Sequence, residues 1–174
     1  GRADEINTCI GCNQACLDHT FAGKITSCLV NPRACHETEL VIKPAEARKR
    51  VAVVGAGPAG LSCAVTAAER GHAVTLIEAG PEIGGQFNIA KRIPGKEEFY
   101  ETLRYFQRQI ELNGIELRLN TRATAEALAQ EGFDEIVIAT GIVPRRPPID
   151  GVEHPKAVSY LDVLRDKQPV GQNV

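Results

Sequence analysis

The sequence predicts an α/β domain built on a doubly wound parallel sheet, and three observations support this prediction. Four apolar residues at 51–54 run directly into a glycine-rich turn. A second apolar segment at 73–77 ends on an acidic residue. Helical patterns alternate with further apolar segments up to residue 139. Strands that alternate with helices are typical of parallel sheets with helices on their faces.

The first strand leads into the pattern G-x-G-x-x-G, formed by Gly55, Gly57 and Gly60. After a strand and before a helix, this pattern indicates a dinucleotide-binding turn. Gly55 allows the tight turn, Gly57 lets a pyrophosphate approach the backbone, and Gly60 lets the helix pack close to its strand. Pro58 suits the first helical position because an N–H group there would have no partner. The helix then offers its free N–H groups to the phosphates.

This helix is predicted to run to Arg70 and to stop at Gly71, before a buried strand at 73–77. The strand ends on Glu78, which lies roughly 20 residues after the glycines, where an acid binds a ribose 2′-hydroxyl. A carboxylate there repels a 2′-phosphate, so the site favours FAD or NAD over NADP. The segment as a whole predicts a Rossmann-like nucleotide site.

Later elements continue the same alternation. Residues 84–86, Gly-Gly-Gln, would bring the chain close to the nucleotide a second time. A long helix is predicted over 97–112, because its apolar residues recur every three or four positions. That apolar stripe consists of Phe99, Leu103, Phe106 and Ile110.

The end of the domain is marked by two further strands and a proline-rich exit. Strands are predicted at 115–119 and 134–139, with a short helix at 124–130 between them. The prolines of residues 144–148 exclude a helix or a central strand, so the chain should leave the domain in an extended form. A last short helix is predicted at 160–165.

Composition limits the classes of function. The chain has 174 residues, which argues for one domain, or one domain plus an appendage. Its 43% of hydrophobic residues is enough for a core, and its net charge of −2 argues against a nucleic-acid partner. No window is long and apolar enough to span a bilayer, and no secretory signal opens the chain. There is no methionine, and we expect the chain to be a piece cut from a longer protein.

Five of the six cysteines fall in the first 35 residues, which indicates a reducing compartment, the cytoplasm, and a metal or cluster site. Their spacing is C-x2-C-x3-C-x11-C, formed by Cys9, Cys12, Cys16 and Cys28. Three close thiolates and a fourth from a returning loop commonly hold a [4Fe–4S] cluster. A structural zinc site is the alternative, although zinc sites usually present two separated pairs. Cys35 and the adjacent His36 are interpreted as structural or supporting residues.

Taken together, the motifs resemble those of the bacterial NADPH-dependent 2,4-dienoyl-CoA reductases, a family whose wider membership includes trimethylamine dehydrogenase. The resemblance rests on the cysteine pattern, the glycine turn, Ile-Gly-Gly-Gln-Phe-Asn-Ile-Ala-Lys at 83–91, Ile-Pro-Gly-Lys-Glu-Glu-Phe at 93–99 and Ile-Ala-Thr-Gly-Ile-Val-Pro at 138–144. Members reduce unsaturated acyl-CoA in fatty acid β-oxidation. They carry an FMN barrel, a [4Fe–4S] cluster, an FAD domain and an NADPH domain in one chain.

The resemblance implies three parts in this chain: a cysteine-rich segment at 1–40, an FAD-binding domain at 41–150, and a linker at 151–174. The linker would lead to an absent NADPH domain, which would begin with a strand near Val174. It implies that the four cysteines of the C-x2-C-x3-C-x11-C pattern hold the cluster. It also implies a set of FAD contacts: Gly55, Ala56, Gly57, Ala59, Gly60, Glu78, Gln86, Lys96 and Ala123.

No catalytic residue is assigned, because the substrate site lies on a barrel of about 250 residues that this chain does not contain. The implied partners are the FMN barrel and the NADPH domain of the same parent chain, with a 2,4-dienoyl-CoA as substrate. Two alternatives stay open. One is an ADP- or FAD-binding module with a structural zinc site, and the other is a glutamate-synthase-like electron-transfer subunit.

Overall fold

The computed structural model describes residues 1–172 and contains one four-stranded parallel sheet. The strands are Arg50–Val54 (β1), Ala73–Ile77 (β2), Glu116–Arg118 (β3) and Glu135–Ile138 (β4). Their order across the sheet is β3-β2-β1-β4. This order matches the first four strands of the 3-2-1-4-5-6 order of a dinucleotide-binding fold.

Helices connect the strands and extend beyond them. They are His19–Phe21 (α1), Pro58–Glu69 (α2), Phe87–Ala90 (α3), Glu98–Leu112 (α4), Ala125–Glu131 (α5) and Tyr160–Leu164 (α6). A 3-10 turn at Ala3–Glu5 and a π-helical turn at Gln14–Asp18 lie in the cysteine-rich segment. Across residues 1–172, no helix combines the length and the apolar character that crossing a bilayer requires.

Strand β1 lies in the centre of the sheet because its residues are apolar on both faces. Val51, Ala52 and Val53 are buried, and β1 pairs in parallel with β2 on one side and β4 on the other. Strands of parallel sheets are covered on both faces, so they need continuous apolar runs and not alternating ones.

The two faces of the sheet carry separate apolar cores. On one face, Val53 and Leu76 pack with Leu61 of α2 and Ile110 of α4. On the other face, Ala52 and Ile77 pack with Leu128 of α5. Because helices cover both faces, the predicted doubly wound α/β fold is confirmed.

The two edges of the sheet differ in chemistry. On β3, Glu116 accepts hydrogen bonds from Arg118 Nε and Thr75 Oγ1, each at 2.9 Å. These bonds, that from Arg118 first, hold the pKa of Glu116 below its usual range. On β4, Ile136 and Ile138 remain 43% and 66% exposed. The β3 edge is suited to water, whereas the β4 edge leaves apolar side chains uncovered.

Most predicted elements lie where the pattern placed them, within one or two residues at their ends. Gly71 has a φ of +94° directly after α2, which matches its predicted role in ending that helix. Residues 144–148 contain neither helix nor strand, as predicted. Helices α1 and α3 and the two turns of the cysteine-rich segment were not predicted. The strand expected near Val174 lies outside the described residues.

Candidate functional site

The glycine turn after β1 is packed too tightly to admit side chains at two of its three glycines. A Cβ atom on Gly55, whose φ is +105°, would lie 2.3 Å from the carbonyl oxygen of Ala139. A Cβ atom on Gly60 would lie 1.8 Å from the carbonyl oxygen of Gly55. A Cβ atom on Gly57 would meet no atom within 4 Å. Gly55 and Gly60 therefore serve the turn and the packing, while Gly57 faces open space.

Helix α2 begins at this open space without a side-chain cap. Gly57 is its N-cap residue, Pro58 is its first residue, and no side chain caps the first turn. The N–H groups at the start of a helix lack partners within the helix and attract anions. The first turn of α2, including Ala59, is therefore available to bind phosphate oxygens.

The carboxylate of Glu78 is oriented by two backbone N–H groups beside the turn. Ala56 donates to Oε2 at 2.8 Å, and Gly80 donates to Oε1 at 2.7 Å. An ionised carboxylate has about four acceptor sites, so two remain for a ligand hydroxyl. The arrangement holds Glu78 at the edge of the turn in the position expected of a ribose-binding acid.

Residues 84–86 pass directly over the glycine turn, as their sequence predicts. Gly84 donates to the carbonyl oxygen of Ala56 at 2.7 Å. Gly85 has a φ of +52°, and a Cβ atom there would lie 3.1 Å from the Cα atom of Gly57. Glycine is needed at 85 because the backbone is left-handed and because the two backbones approach each other closely.

These segments enclose a cleft of about 230 Å³ at the carboxyl ends of β1 and β4. Its lining residues are Gly55, Gly57, Pro58, Ala59, Glu78, Gly85, Gln86, Ile89, Ala139, Thr140, Gly141 and Ile142. Drug-sized ligands occupy pockets of about 300–1,000 Å³. The cleft therefore fits the pyrophosphate and ribose of a dinucleotide better than the whole molecule.

The predicted nucleotide contacts divide into three groups. Five of them line the cleft: Gly55, Gly57, Ala59, Glu78 and Gln86. Ala56 and Gly60 lie just behind the lining, and support it through the backbone contacts described above.

Lys96 and Ala123 lie away from this lining. The Lys96 amine stands 5.8 Å from the centre of the Phe99 ring, and Ala123 packs against the core around Ala52 and Leu128. Their binding roles stay predictions. Conversely, Thr140, Gly141 and Ile142 were not predicted as site residues, although they follow β4. The parallel pairing of β1 with β4 was the missing information, because it brings both carboxyl ends to one edge.

Helix α6 lies at the mouth of the cleft. The Tyr160 hydroxyl donates to Gln86 Oε1 at 3.3 Å. Arg92 Nη1 donates to the carbonyl oxygens of Leu164 at 2.7 Å and Arg165 at 3.2 Å. The C-terminal segment therefore contacts the same stretch of chain that carries the Gln86 side chain.

The four predicted cluster ligands lie in a loop whose backbone turns back on itself. All four cysteines are free thiols. Gly11 donates its N–H to Cys9 Sγ at 3.4 Å, and hydrogen bonds to the sulfurs are among the features that tune an iron–sulfur cluster. Ser27 donates to the carbonyl oxygen of Ala15 at 2.7 Å. This bond brings the backbone beside Cys28 against the backbone beside Cys16.

Thiolates are the ligand type that iron–sulfur clusters use, and the returning loop brings the backbone beside the fourth cysteine to the backbone beside the third. The donor chemistry therefore fits a cluster. Within residues 1–172, however, no three His, Cys, Asp or Glu side chains are grouped closely enough to hold a metal ion. The thiols would have to turn towards one another on binding, and the cluster stays a prediction.

The two histidines of this segment have protein partners. His36 Nδ1 lies 3.2 Å from Glu39 Oε2, and His19 Nδ1 lies 3.0 Å from the carbonyl oxygen of Ile25. Cys35 is exposed and has a φ of +63°. The contact of His36 agrees with its interpretation as a structural or supporting residue, and His19 is likewise engaged within its own loop.

Comparison with known proteins identifies a family. Residues 49–173 match the family described as pyridine nucleotide-disulphide oxidoreductase. The chain is 42% identical to the metal reductase of Desulforamulus reducens, over all of this chain and 27% of that protein. A solved complex of 2-naphthoyl-CoA reductase matches 97% of this chain and 26% of its own, with a TM-score of 0.91 and 42% identity.

A third similar protein is histamine dehydrogenase from Rhizobium sp. 4-9. It matches 86% of this chain and 22% of its own, with a TM-score of 0.77 and 34% identity. The chain spans about a quarter of the length of the relatives that it matches.

Proposed function

The chain belongs to the pyridine nucleotide-disulphide oxidoreductase family, and we propose that it is part of a flavin-dependent redox enzyme. We propose more specifically that it is the FAD- and cluster-binding part of an NADPH-dependent 2,4-dienoyl-CoA reductase. The cleft at Gly57 binds FAD, and Cys9, Cys12, Cys16 and Cys28 hold a [4Fe–4S] cluster. The proposal rests on one observation: the same chain contains a preformed dinucleotide cleft and a loop with four free cysteines.

The residues of the cleft have separate tasks in this proposal. The first turn of α2 binds the pyrophosphate, Glu78 accepts from a ribose hydroxyl, and Gln86 contacts the cofactor from the opposite side. FAD can take up two electrons together and release them one at a time, whereas an iron–sulfur cluster carries one electron. FAD and a cluster together are therefore suited to electron transfer from NADPH towards FMN. The chain contributes the position of the cofactors and the polarity around them.

The remaining domains of the parent enzyme are part of the proposal. A cleft of about 230 Å³ leaves part of FAD to be covered by other chain segments. Ile142 and Val143, next to the cleft, are 73% and 89% exposed, and exposed apolar groups in continuity with a site mark a docking surface. We assign that surface to the NADPH-binding and FMN-binding domains of the same cytoplasmic polypeptide.

Similarity to 2-naphthoyl-CoA reductase supports an unsaturated acyl-CoA as the substrate class. The chain is also similar to histamine dehydrogenase, which is named for an amine. A parent enzyme that oxidises an amine is therefore the second candidate function. Activity of the full-length parent on a 2,4-dienoyl-CoA, compared with its activity on histamine, separates the two.

The cluster assignment is tested by metal analysis of protein purified without oxygen. We expect about four irons and four sulfides per chain in the unmodified protein, as a [4Fe–4S] cluster requires. Cys28→Ser should lose most of that iron, because it removes the ligand that closes the loop. Cys35→Ser is the matched control and should retain it. One zinc per chain, with no iron, would instead establish the structural zinc site.

The contact between Tyr160 and Gln86 predicts a modest effect on flavin binding. Tyr160→Phe removes the hydroxyl that orients the Gln86 side chain, and a hydrogen bond of this kind contributes about 0.5–1.5 kcal/mol. We expect the Kd for FAD, from quenching of flavin fluorescence, to rise about two- to tenfold. Tyr100→Phe is the control, since Tyr100 lies against Lys91 and not at Gln86. Equal Kd values for the unmodified protein and both variants would show that the Tyr160 hydroxyl does not contribute to FAD binding.

A further inference from the structure

We propose that Arg104 is a positioning residue that fixes the cysteine-rich segment against the flavin-binding domain. Arg104 lies on α4, and its guanidinium donates to the carbonyl oxygens of Asp4 at 2.6 Å and Ile6 at 3.0 Å. These carbonyls precede Cys9 in the chain by a few residues. The inference rests on the proposed function, because it concerns how the two predicted cofactor sites are held relative to each other.

The orientation of the guanidinium is fixed from its own helix. Arg104 Nε donates to Glu101 Oε2 at 2.7 Å, one helical turn earlier. With Nε engaged there, the two terminal nitrogens point at two carbonyls that lie two residues apart. Charge-assisted bonds from a planar fork are stronger and more directional than those of a point charge. A lysine ammonium is a single point charge and does not present two separate nitrogens in a fixed fork.

The preceding residue on the same helix, Leu103, packs against the chain segment that leads into the flavin cleft. A Cβ atom on Gly84 would lie 2.8 Å from Leu103 Cδ2, so this side chain packs directly on the Gly84 backbone. The next two residues, Gly85 and Gln86, line the cleft. Consecutive residues of a helix face different directions. Leu103 and Arg104 therefore link the cleft and the cysteine-rich segment through one turn of α4.

The anchor restricts the position of the first predicted cluster ligand. Cys9 is three residues beyond Ile6, and three residues of extended chain span at most about 10 Å. Arg108, on the same helix, also forms an ion pair with Asp4 at 2.9 Å. Its side chain is 37% exposed and that of Asp4 is 52% exposed, and ion pairs that water reaches contribute little. Transfer of an electron slows steeply as the distance between two centres grows, so an anchor at this place controls the rate of transfer.

The first test measures the anchor without any cofactor. Glu5 and Ile6 donate backbone hydrogen bonds to Arg2 and Ala3 within the anchored segment, so their amide hydrogen exchange reports whether the segment is held. In Arg104→Ala we expect exchange at these two amides to become about tenfold faster or more. Arg104→Lys should lie closer to Arg104→Ala than to the unmodified protein. Arg122→Ala, at an exposed arginine before α5, should exchange within about twofold of the unmodified protein.

The second test separates positioning from a purely structural role. FAD affinity should stay within about twofold in Arg104→Ala, since Arg104 does not line the cleft. In chains reconstituted with ferrous iron and sulfide, transfer of an electron from reduced FAD to the iron–sulfur centre that the cysteines would hold should slow by about tenfold at equal iron content. Alanine at 104 suits a helix, so the variant should fold.

Each outcome decides something definite. Unchanged exchange at Glu5 and Ile6 in Arg104→Ala would overturn the anchor. Faster exchange with an unchanged transfer rate would overturn the positioning role. Failure of the unmodified chain to bind FAD or iron would count against the proposed function, while the exchange experiment would still decide on the anchor.

Discussion

Replacing Gly60 by alanine is expected to lower the free energy of unfolding by about 3 kcal/mol or more, beyond the usual range of about 1–3 kcal/mol for overpacking. The added methyl group would lie 1.8 Å from the carbonyl oxygen and 3.0 Å from the carbonyl carbon of Gly55. Both are backbone atoms of a turn that is itself pressed against Ala139. Relief therefore requires α2 to move away from the sheet and to lose apolar contacts. Urea unfolding followed by far-ultraviolet circular dichroism measures the effect.

Gly57→Ala is the matched control for that experiment. Its φ is −75°, which alanine adopts freely, and the new methyl group would meet no atom within 4 Å. We expect its stability to stay within about 1 kcal/mol of the unmodified protein. Its FAD affinity should fall, because the methyl group occupies space through which a pyrophosphate approaches. If Gly60→Ala unfolds at the same urea concentration as Gly57→Ala, the close packing of α2 on the turn is wrong.

Glu78→Ala is expected to weaken FAD binding by about 10- to 100-fold and also to destabilise the domain. Loss of a ribose hydrogen bond to a charged group corresponds to about 1.5–3 kcal/mol. The same change removes the acceptor of the Ala56 N–H group, which donates to it at 2.8 Å. Ala56 is fully buried in the unmodified protein, so its N–H group has no other acceptor there. An unsatisfied buried donor costs about 1–3 kcal/mol.

The two effects are measured separately, by titration of the protein with FAD and by urea unfolding without it. Glu82→Ala is the control, because Glu82 is a nearby acid that is largely exposed and pairs with Lys91 at 3.7 Å. We expect that variant to change stability by no more than about 0.5 kcal/mol. Unaltered FAD affinity in Glu78→Ala would show that its carboxylate only supports the turn.

Several residues of the cleft could be predicted from short patterns in the sequence. The turn glycines, the end of β2 at Glu78 and the second pass at 84–86 were all predicted. Each depends on residues within a few positions of one another: an apolar run forms a buried strand, and a glycine accepts a backbone that other residues avoid. Helix α4 was likewise predicted, because its apolar residues repeat with the period of a helix.

Features that join distant parts of the chain were not predicted. Arg104 donates to residues 98 and 100 positions away, and Tyr160 contacts Gln86 over 74 positions. Ile142 enters the cleft only because β4 pairs with β1. An exposed arginine or tyrosine has no pattern in the sequence that identifies its partner.

By itself, then, the sequence determined the α/β class, the strands and main helices, and the residues of the glycine turn, because these follow from periodicity and from the backbone freedom of single residues. Only the tertiary structure decided the strand order β3-β2-β1-β4, the contribution of residues 140–142 to the cleft, and the attachment of the cysteine-rich segment to α4. Those features depend on contacts between segments far apart in the chain. Such contacts form only when the chain folds back on itself, and their energies depend on the whole arrangement.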